Sequence, residues 1–236
     1  MAGAPDEARA AAAVAAIRGG DVAQLRRLLA ADPALAGARV DGSRTLLHVA
    51  TDWPGHFPGA AASVAALIEA GADVDAPFAG AHTETPPHWA ASSDDVEVLD
   101  VLVAAGADLE APGAVIGGGT PLADAVAFGQ WNAARRLVEH GARTTLWQAA
   151  ALGLVDRIEA LLSADPPPGG DDVTNAFWCA CHDGQRATAE LLIARGADVD
   201  WVGHDGLTPL DAARRSGADE VVAWLRERGA RSAAER

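Results

Sequence analysis

Few residues of this chain are of types that do chemistry, and fewer are grouped. Cys179-Ala180-Cys181-His182 is the densest set of metal-ligating types. Zinc sites usually space their ligands by two or more residues and supply four of them. On a helix, moreover, positions 179 and 181 diverge by about 200°. Close packing of small residues accounts for the trio better, so neither a metal nor a cofactor is expected. No GxSxG, Walker loop, HExxH or dinucleotide fingerprint occurs, and no catalytic residue is assigned. The glycine run VIGGGTP at 115–121 could hold an anion on its amides, although flexibility before a helix explains it better. Asp124 is the single candidate for a general acid or base. Trp53, Trp89, Trp147 and Trp178 could join it around a cationic ligand by cation–π attraction, or could simply be bulky filler.

Composition narrows the classes. Half of the 236 residues are hydrophobic and 22% are charged, which permits a buried core and argues against global disorder. Alanine fills 57 positions, lysine and tyrosine are absent, and there are seven tryptophans. Alanine at that level suits helices in close contact. The net charge of −15 excludes nucleic acid and anionic membrane as natural partners and favours a neutral or basic protein. The acidic start and the short, alanine-rich stretch Ala10–Ile17 resemble neither an export signal nor a membrane span, so a cytoplasmic chain is expected. An all-arginine basic set with this much alanine points to a bacterium of GC-rich genome.

The elements that must position these residues are disclosed by internal repetition. GADVDA at 71–76, GADLEA at 106–111 and GADVDW at 196–201 are near copies, and GAR recurs at 141–143 and 229–231. Gly71, Gly106 and Gly141 are spaced by 35 residues. A second phrase precedes each: TLLHVA at 45–50, TPPHWAA at 85–91, TPLADAV at 120–126 and TPLDAAR at 208–214. In three copies the threonine lies 21 residues before the glycine.

These phrases resemble the ankyrin repeat. In that pattern Thr-Pro starts a first helix, paired alanines let it pack closely, a left-handed glycine ends it, and a Leu-rich second helix follows. The resemblance implies an all-α solenoid of about seven helix-turn-helix units with short β-hairpin loops. Residues 1–7 form a tail, residues 8–231 a single repeat domain with sub-arrays 8–143 and 144–231, and residues 232–236 a second tail. The second unit carries an insertion, DWPGHFPG, at 52–59; the hairpin after Gly141 is missing, and PPPGGDD at 166–172 is a connection. Hairpins are expected after Gly71, Gly106 and Gly196. The family implies a non-enzymatic protein-interaction module whose first helices and loop tips form a concave binding face.

Departures from the repeat mark the candidate site, since the scaffold already explains the agreements. His48 and His88 hold a histidine that in this family bonds neighbouring backbone. Trp147 and Trp178 hold the same position in units five and six. At the next position stand Trp89, Asp124 and Gln148, where an apolar residue is usual; the two polar groups either satisfy one another or line a ligand pocket. Before the helix-ending glycine come Ser92 and Ser93, Phe128, Leu152, and His182 and Asp183. Ser92 to Asp95 reads as a polar, acidic patch beside the apolar Phe128 and Leu152, in the manner of a binding surface. Trp53 in the insertion and Trp201 on a loop are expected to be exposed, as hot-spot residues often are. Trp131 and Trp224 read as core. The rival to a protein-binding face is a small-molecule site or enzyme with a Trp-lined acidic pocket around Asp124, between repeats four and five.

Overall fold

The computed structural model describes residues 7–115 and 118–236. The anion-binding reading of 115–121 therefore falls partly outside the described residues, as does most of the N-terminal tail. The chain divides into two compact units, Met1–Ala142 and Arg143–Arg236.

The first unit contains four helix pairs. They are α1 (Glu7–Gly19) with α2 (Val22–Ala31), α3 (Leu46–Thr51) with α4 (Ala60–Glu69), α5 (Pro86–Ser92) with α6 (Val96–Ala104), and α7 (Pro121–Ala127) with α8 (Trp131–Glu139). First helices pack on first helices, α1 on α3, α3 on α5 and α5 on α7, while α2, α4, α6 and α8 form the other layer. Each pair buries its face only against its neighbours, as repeat architecture requires. Leu25, Leu46, Leu67, Leu99, Leu122 and Leu137 are fully buried between the layers. Ala50, Ala90, Ala91 and Ala125 are equally buried in the first helices, where a larger side chain would force the layers apart.

The second unit holds three pairs: α9 (Leu146–Ala151) with α10 (Val155–Leu162), α11 (Gly170–His182) with α12 (Arg186–Ile193), and α13 (Pro209–Arg215) with α14 (Asp219–Glu227). Its core joins Leu146, Ile158, Phe177, Leu192, Leu210, Trp224 and Leu225. Trp224 is 1% exposed, as a core residue should be, and the Arg228 guanidinium lies 4.4 Å from its ring centroid.

Helix starts and stops follow local chemistry. Thr45, Thr85, Thr120, Thr145 and Thr208 are the N-caps of α3, α5, α7, α9 and α13. Gly129, Gly153, Gly184 and Gly217 end first helices at φ of 70 to 73°, where a Cβ would be strained. In the third pair Asp94 takes that place at φ 54°. Its carboxylate offsets the strain by accepting the Ala133 N–H at 2.7 Å and the Asn132 side-chain amide at 2.7 Å.

Three local features differ from the sequence expectation. Among the described residues the only paired strands are β1 (Arg39–Val40) and β2 (Arg44–Thr45). The loops after Gly71, Gly106 and Gly196 are instead shaped by aspartate. Asp73, Asp108 and Asp198 each accept the N–H two residues on, and Asp75 accepts the Asp108 N–H at 2.9 Å, while each loop turns back through only one or two backbone bonds, such as Phe78 N–H to Glu84 and Gly203 N–H to Leu207, without forming a strand pair. Second, Gly170 to Asp172 are helical rather than linker. Asp171 and Asp172 suit the positive end of α11, and the Asp172 carboxylate accepts the Gly169 N–H at 3.1 Å. Third, α9 starts at Thr145 rather than Thr144. That puts Gln148, not Trp147, in the histidine position, where its side-chain oxygen accepts the Thr145 N–H at 2.8 Å.

Candidate functional site

The histidine position has one structural task. In α3 and α5 the ring Nδ1 of His48 or His88 accepts the N-cap amide of Thr45 or Thr85, at 3.3 and 3.1 Å. With Nδ1 accepting, Nε2 carries the hydrogen and donates to a carbonyl of the next repeat, Glu84 for His48 and Gly119 for His88. Both carbonyls immediately precede the next N-cap. Burial pushes the His48 pKa down to about 4 and lowers that of His88, so both stay neutral donors. Trp178 does the same work with an indole: its Nε1–H donates to the Leu207 carbonyl at 2.9 Å, one residue before the N-cap Thr208.

The first unit contains a cavity of about 420 Å³ at the ends of its first helices. Trp53, Trp89, Val115 and Phe128 supply apolar wall; Asp52, Glu84, Ser92, Ser93 and Gln130 supply polar groups. Trp53, Val115 and Phe128 are 78%, 61% and 49% exposed, unusual for large apolar side chains, and all three border this one hollow. The insertion at 52–59 carries Trp53 to the rim. Its His56 bonds the Asp95 carboxylate through its backbone N–H and the Ser93 carbonyl through its ring, both at 3.0 Å. A Cβ on Gly55 would lie 2.7 Å from that of Ser93, so the insertion sits directly on the third pair.

Trp89 forms the floor with an aromatic nest. His48 meets it edge-on at 5.0 Å, and Phe78, stacked on His82, lies 5.7 Å away. The Trp89 Nε1–H is buried without an acceptor. Glu84 is 6% exposed; its Oε1 accepts the Val115 N–H at 2.9 Å and its Oε2 lies 3.3 Å from the His82 ring. Asp52 is already neutralised by Arg44 at 2.8 Å. No arginine lines the hollow among the described residues, so Glu84 is its least compensated charge.

Asp124, on α7, is fully buried, and neither carboxyl oxygen has a hydrogen-bond partner. Burial above all, then the adjacent Glu84 carboxylate, pushes its pKa up to about 8. Asp124 is not part of the cavity lining; Glu84 is, and connects the two electrostatically.

The remaining sequence candidates lie in the second unit. Trp147 is half-buried against the core and Gln148 is buried in its capping role. Trp178 is 5% exposed, with His182 stacked on it at 5.4 Å. The His182 Nδ1 lies 2.6 Å from the Asp183 carboxylate, whose pKa is raised by burial against the opposing pull of His182. Trp201 is not the exposed residue expected, because its ring packs over Gly203, within 2.2 Å of where a Cβ would stand. Leu152 is likewise buried. Trp131, expected in the core, is half-buried. Burial pushes the Cys179 thiol up to about 12 and raises that of Cys181, so neither offers a thiolate near neutrality. Among the described residues no group of three or more His, Cys, Asp or Glu side chains is arranged to hold a metal ion.

Residues 59–147 and 146–235 match the family model described as "Ankyrin repeats (3 copies)". The chain belongs to the ankyrin-repeat family. An ankyrin repeat and KH domain-containing protein of Caenorhabditis briggsae is 30% identical over 145 residues, 55% of this chain and 5% of that protein. Its counterpart mask-1 of Caenorhabditis elegans is 30% identical over 146 residues, 60% of this chain and 4% of its own length. The chain thus spans about a twentieth of these relatives. The ankyrin repeat domain of human ASB11 shares the fold, with a TM-score of 0.56 at 21% identity over 90% of this chain and 96% of that one.

Within the ankyrin frame, Trp89 and Asp124 occupy the same place in consecutive repeats, and sequence reasoning found both. It missed Glu84, Asp52, Val115 and Gln130. The loops that hold Glu84 and Val115 do not repeat, so no periodicity singles them out. The one available signal was Glu84 directly before Thr85-Pro86, at the site whose carbonyl takes the preceding repeat's histidine. The Ser92–Asp95 patch is mostly engaged inside the fold. Asp95 is 3% exposed and caps α6 through the Val98 N–H, while Asp94 caps α8.

Proposed function

We propose that this ankyrin-repeat chain is a cytoplasmic protein-interaction module, and that the first-unit cavity is where a neutral or basic partner docks. Ankyrin repeats generally serve as protein-binding scaffolds. The observation that carries the reading is the convergence of three exposed apolar side chains, Trp53, Val115 and Phe128, on one hollow that also presents Glu84. Exposed aromatics beside satisfied polar groups have the makeup of interface hot spots. The net charge of −15 supports a partner that is not itself acidic. Two buried, unpaired thiols suit a reducing compartment.

The test is an unbiased selection of displayed random peptides on the intact chain, followed by measurement of each on Phe128→Glu and Trp53→Ala. Both side chains project into solvent, so the variants fold. Peptides that lose at least about tenfold in affinity on these variants support the reading. Peptides that bind both variants as well as the parent place the interaction elsewhere and overturn it.

A further inference from the structure

We infer that the cavity takes the guanidinium group of an arginine side chain from the partner polypeptide, held between the Trp53 and Trp89 rings with Glu84 as its counter-charge. This deepens the interaction reading and rests on it. Two independent features select that chemistry.

The wall is aromatic where it is open. A cation over an indole face gains more than over any other side chain, and the weakly hydrated, planar guanidinium stacks there at lower desolvation cost than an ammonium. Trp53 lies on the rim and Trp89 on the floor, and both line the same hollow of about 420 Å³, within the size range of ligand clefts.

The charge is negative and held in place. The Val115 amide fixes the Glu84 carboxylate, the His82 ring stands 3.3 Å from it, and the other lining carboxylate, Asp52, is spent on Arg44. Glu84 also adjoins the buried carboxyl of Asp124, whose pKa its charge helps to raise. With Asp52 paired and no arginine lining the hollow among the described residues, Glu84 is a negative charge that an incoming cation would balance.

The experiment uses the selected peptides with each arginine replaced in turn by citrulline, its neutral isostere, and by lysine. N-acetylarginine amide serves as a small probe. The chain is tested as the parent, Trp53→Ala and Glu84→Gln. The expected result is an affinity loss of about tenfold or more for citrulline, a smaller loss for lysine, and near equality of arginine and citrulline on Glu84→Gln. Glu84 also braces a loop, so Trp53→Ala, whose side chain is 78% exposed, provides the variant that leaves folding untouched. Peptides that require Trp53 and Phe128 yet bind equally with citrulline overturn the arginine inference and leave the interaction reading standing. Binding of N-acetylarginine amide in a Glu84-dependent manner without any selected peptide overturns the protein-partner reading and keeps the cavity's chemistry. Lysine matching arginine overturns guanidinium stacking. Failure of every probe overturns both.

Discussion

At the scale of single residues, the clearest departure from a satisfied core is Asp124. Its carboxyl keeps a proton up to about pH 8 in the folded chain, whereas an unfolded aspartate releases it near the ordinary aspartate value of 3.8. Between those limits the folded state binds more protons than the unfolded one, so this group's contribution to stability falls as pH rises and levels off above about 8. His48 and His88 act in the opposite sense, losing stability as pH falls below the usual histidine range, since burial keeps them neutral. Asp124→Asn leaves the histidines in place and isolates the carboxyl. The stability of the variant relative to the parent, measured by urea unfolding, should grow by up to about 4 kcal/mol between about pH 5 and about pH 9. Parallel pH profiles for the two proteins would show that Asp124 is ionised in the fold. The sequence marked Asp124 as a polar group in an apolar position but left its partner open. The neighbour that matters, Glu84, is distant in the chain and lies in a loop without periodicity.

At the scale of elements, non-glycine residues in left-handed positions show where the repeat has been adapted. Asp94 stands where other first helices end in glycine, and its carboxylate reaches across to cap α8. Asp94→Ala keeps the strain and loses the cap, so urea unfolding should show a loss of about 1–3 kcal/mol. Asp94→Gly removes the strain as well and should lie between Asp94→Ala and the parent; a glycine variant as stable as the parent would mean that the cap does no more than offset the strain. The insertion at 52–59 is positioned by close approach. Gly55→Ala adds a Cβ at φ 74° against Ser93 and should displace Trp53 from the cavity rim. Peptide affinity should fall by about tenfold or more while the helical circular dichroism is retained, and unchanged affinity would dissociate the insertion from binding. Helix pairs, N-caps and left-handed stops were readable because each is encoded locally by Thr-Pro, Gly and Leu at fixed spacing. The aspartate-shaped loops were not, because a hairpin and an Asx turn use the same Gly-Ala-Asp phrase. The start of α9 was misread by one residue because two adjacent threonines, Thr144 and Thr145, are equally good caps.

At the scale of the whole molecule, a net charge of −15 gives the chain a field that attracts cationic molecules and repels acidic ones, which supports the proposed neutral or basic partner. Asp94, Asp95 and Asp183, near the helix-ending positions, are committed to caps and to His182, so the specific charge at the cavity is left to Glu84. The family was legible throughout the repeats; the site was legible only in the aromatic and polar residues that break the repeat, and not in the non-repeating loops that complete it. The most direct test of the account is the set of seven indole N–H resonances in a ¹H–¹⁵N spectrum, followed while a selected arginine-containing peptide is titrated into the intact chain. The account predicts that Trp53 and Trp89, which line the cavity, shift, and that Trp178 and Trp224 stay in place. Shifts confined to the Trp178 and Trp201 region of the second unit, with Trp53 and Trp89 unmoved, would contradict it.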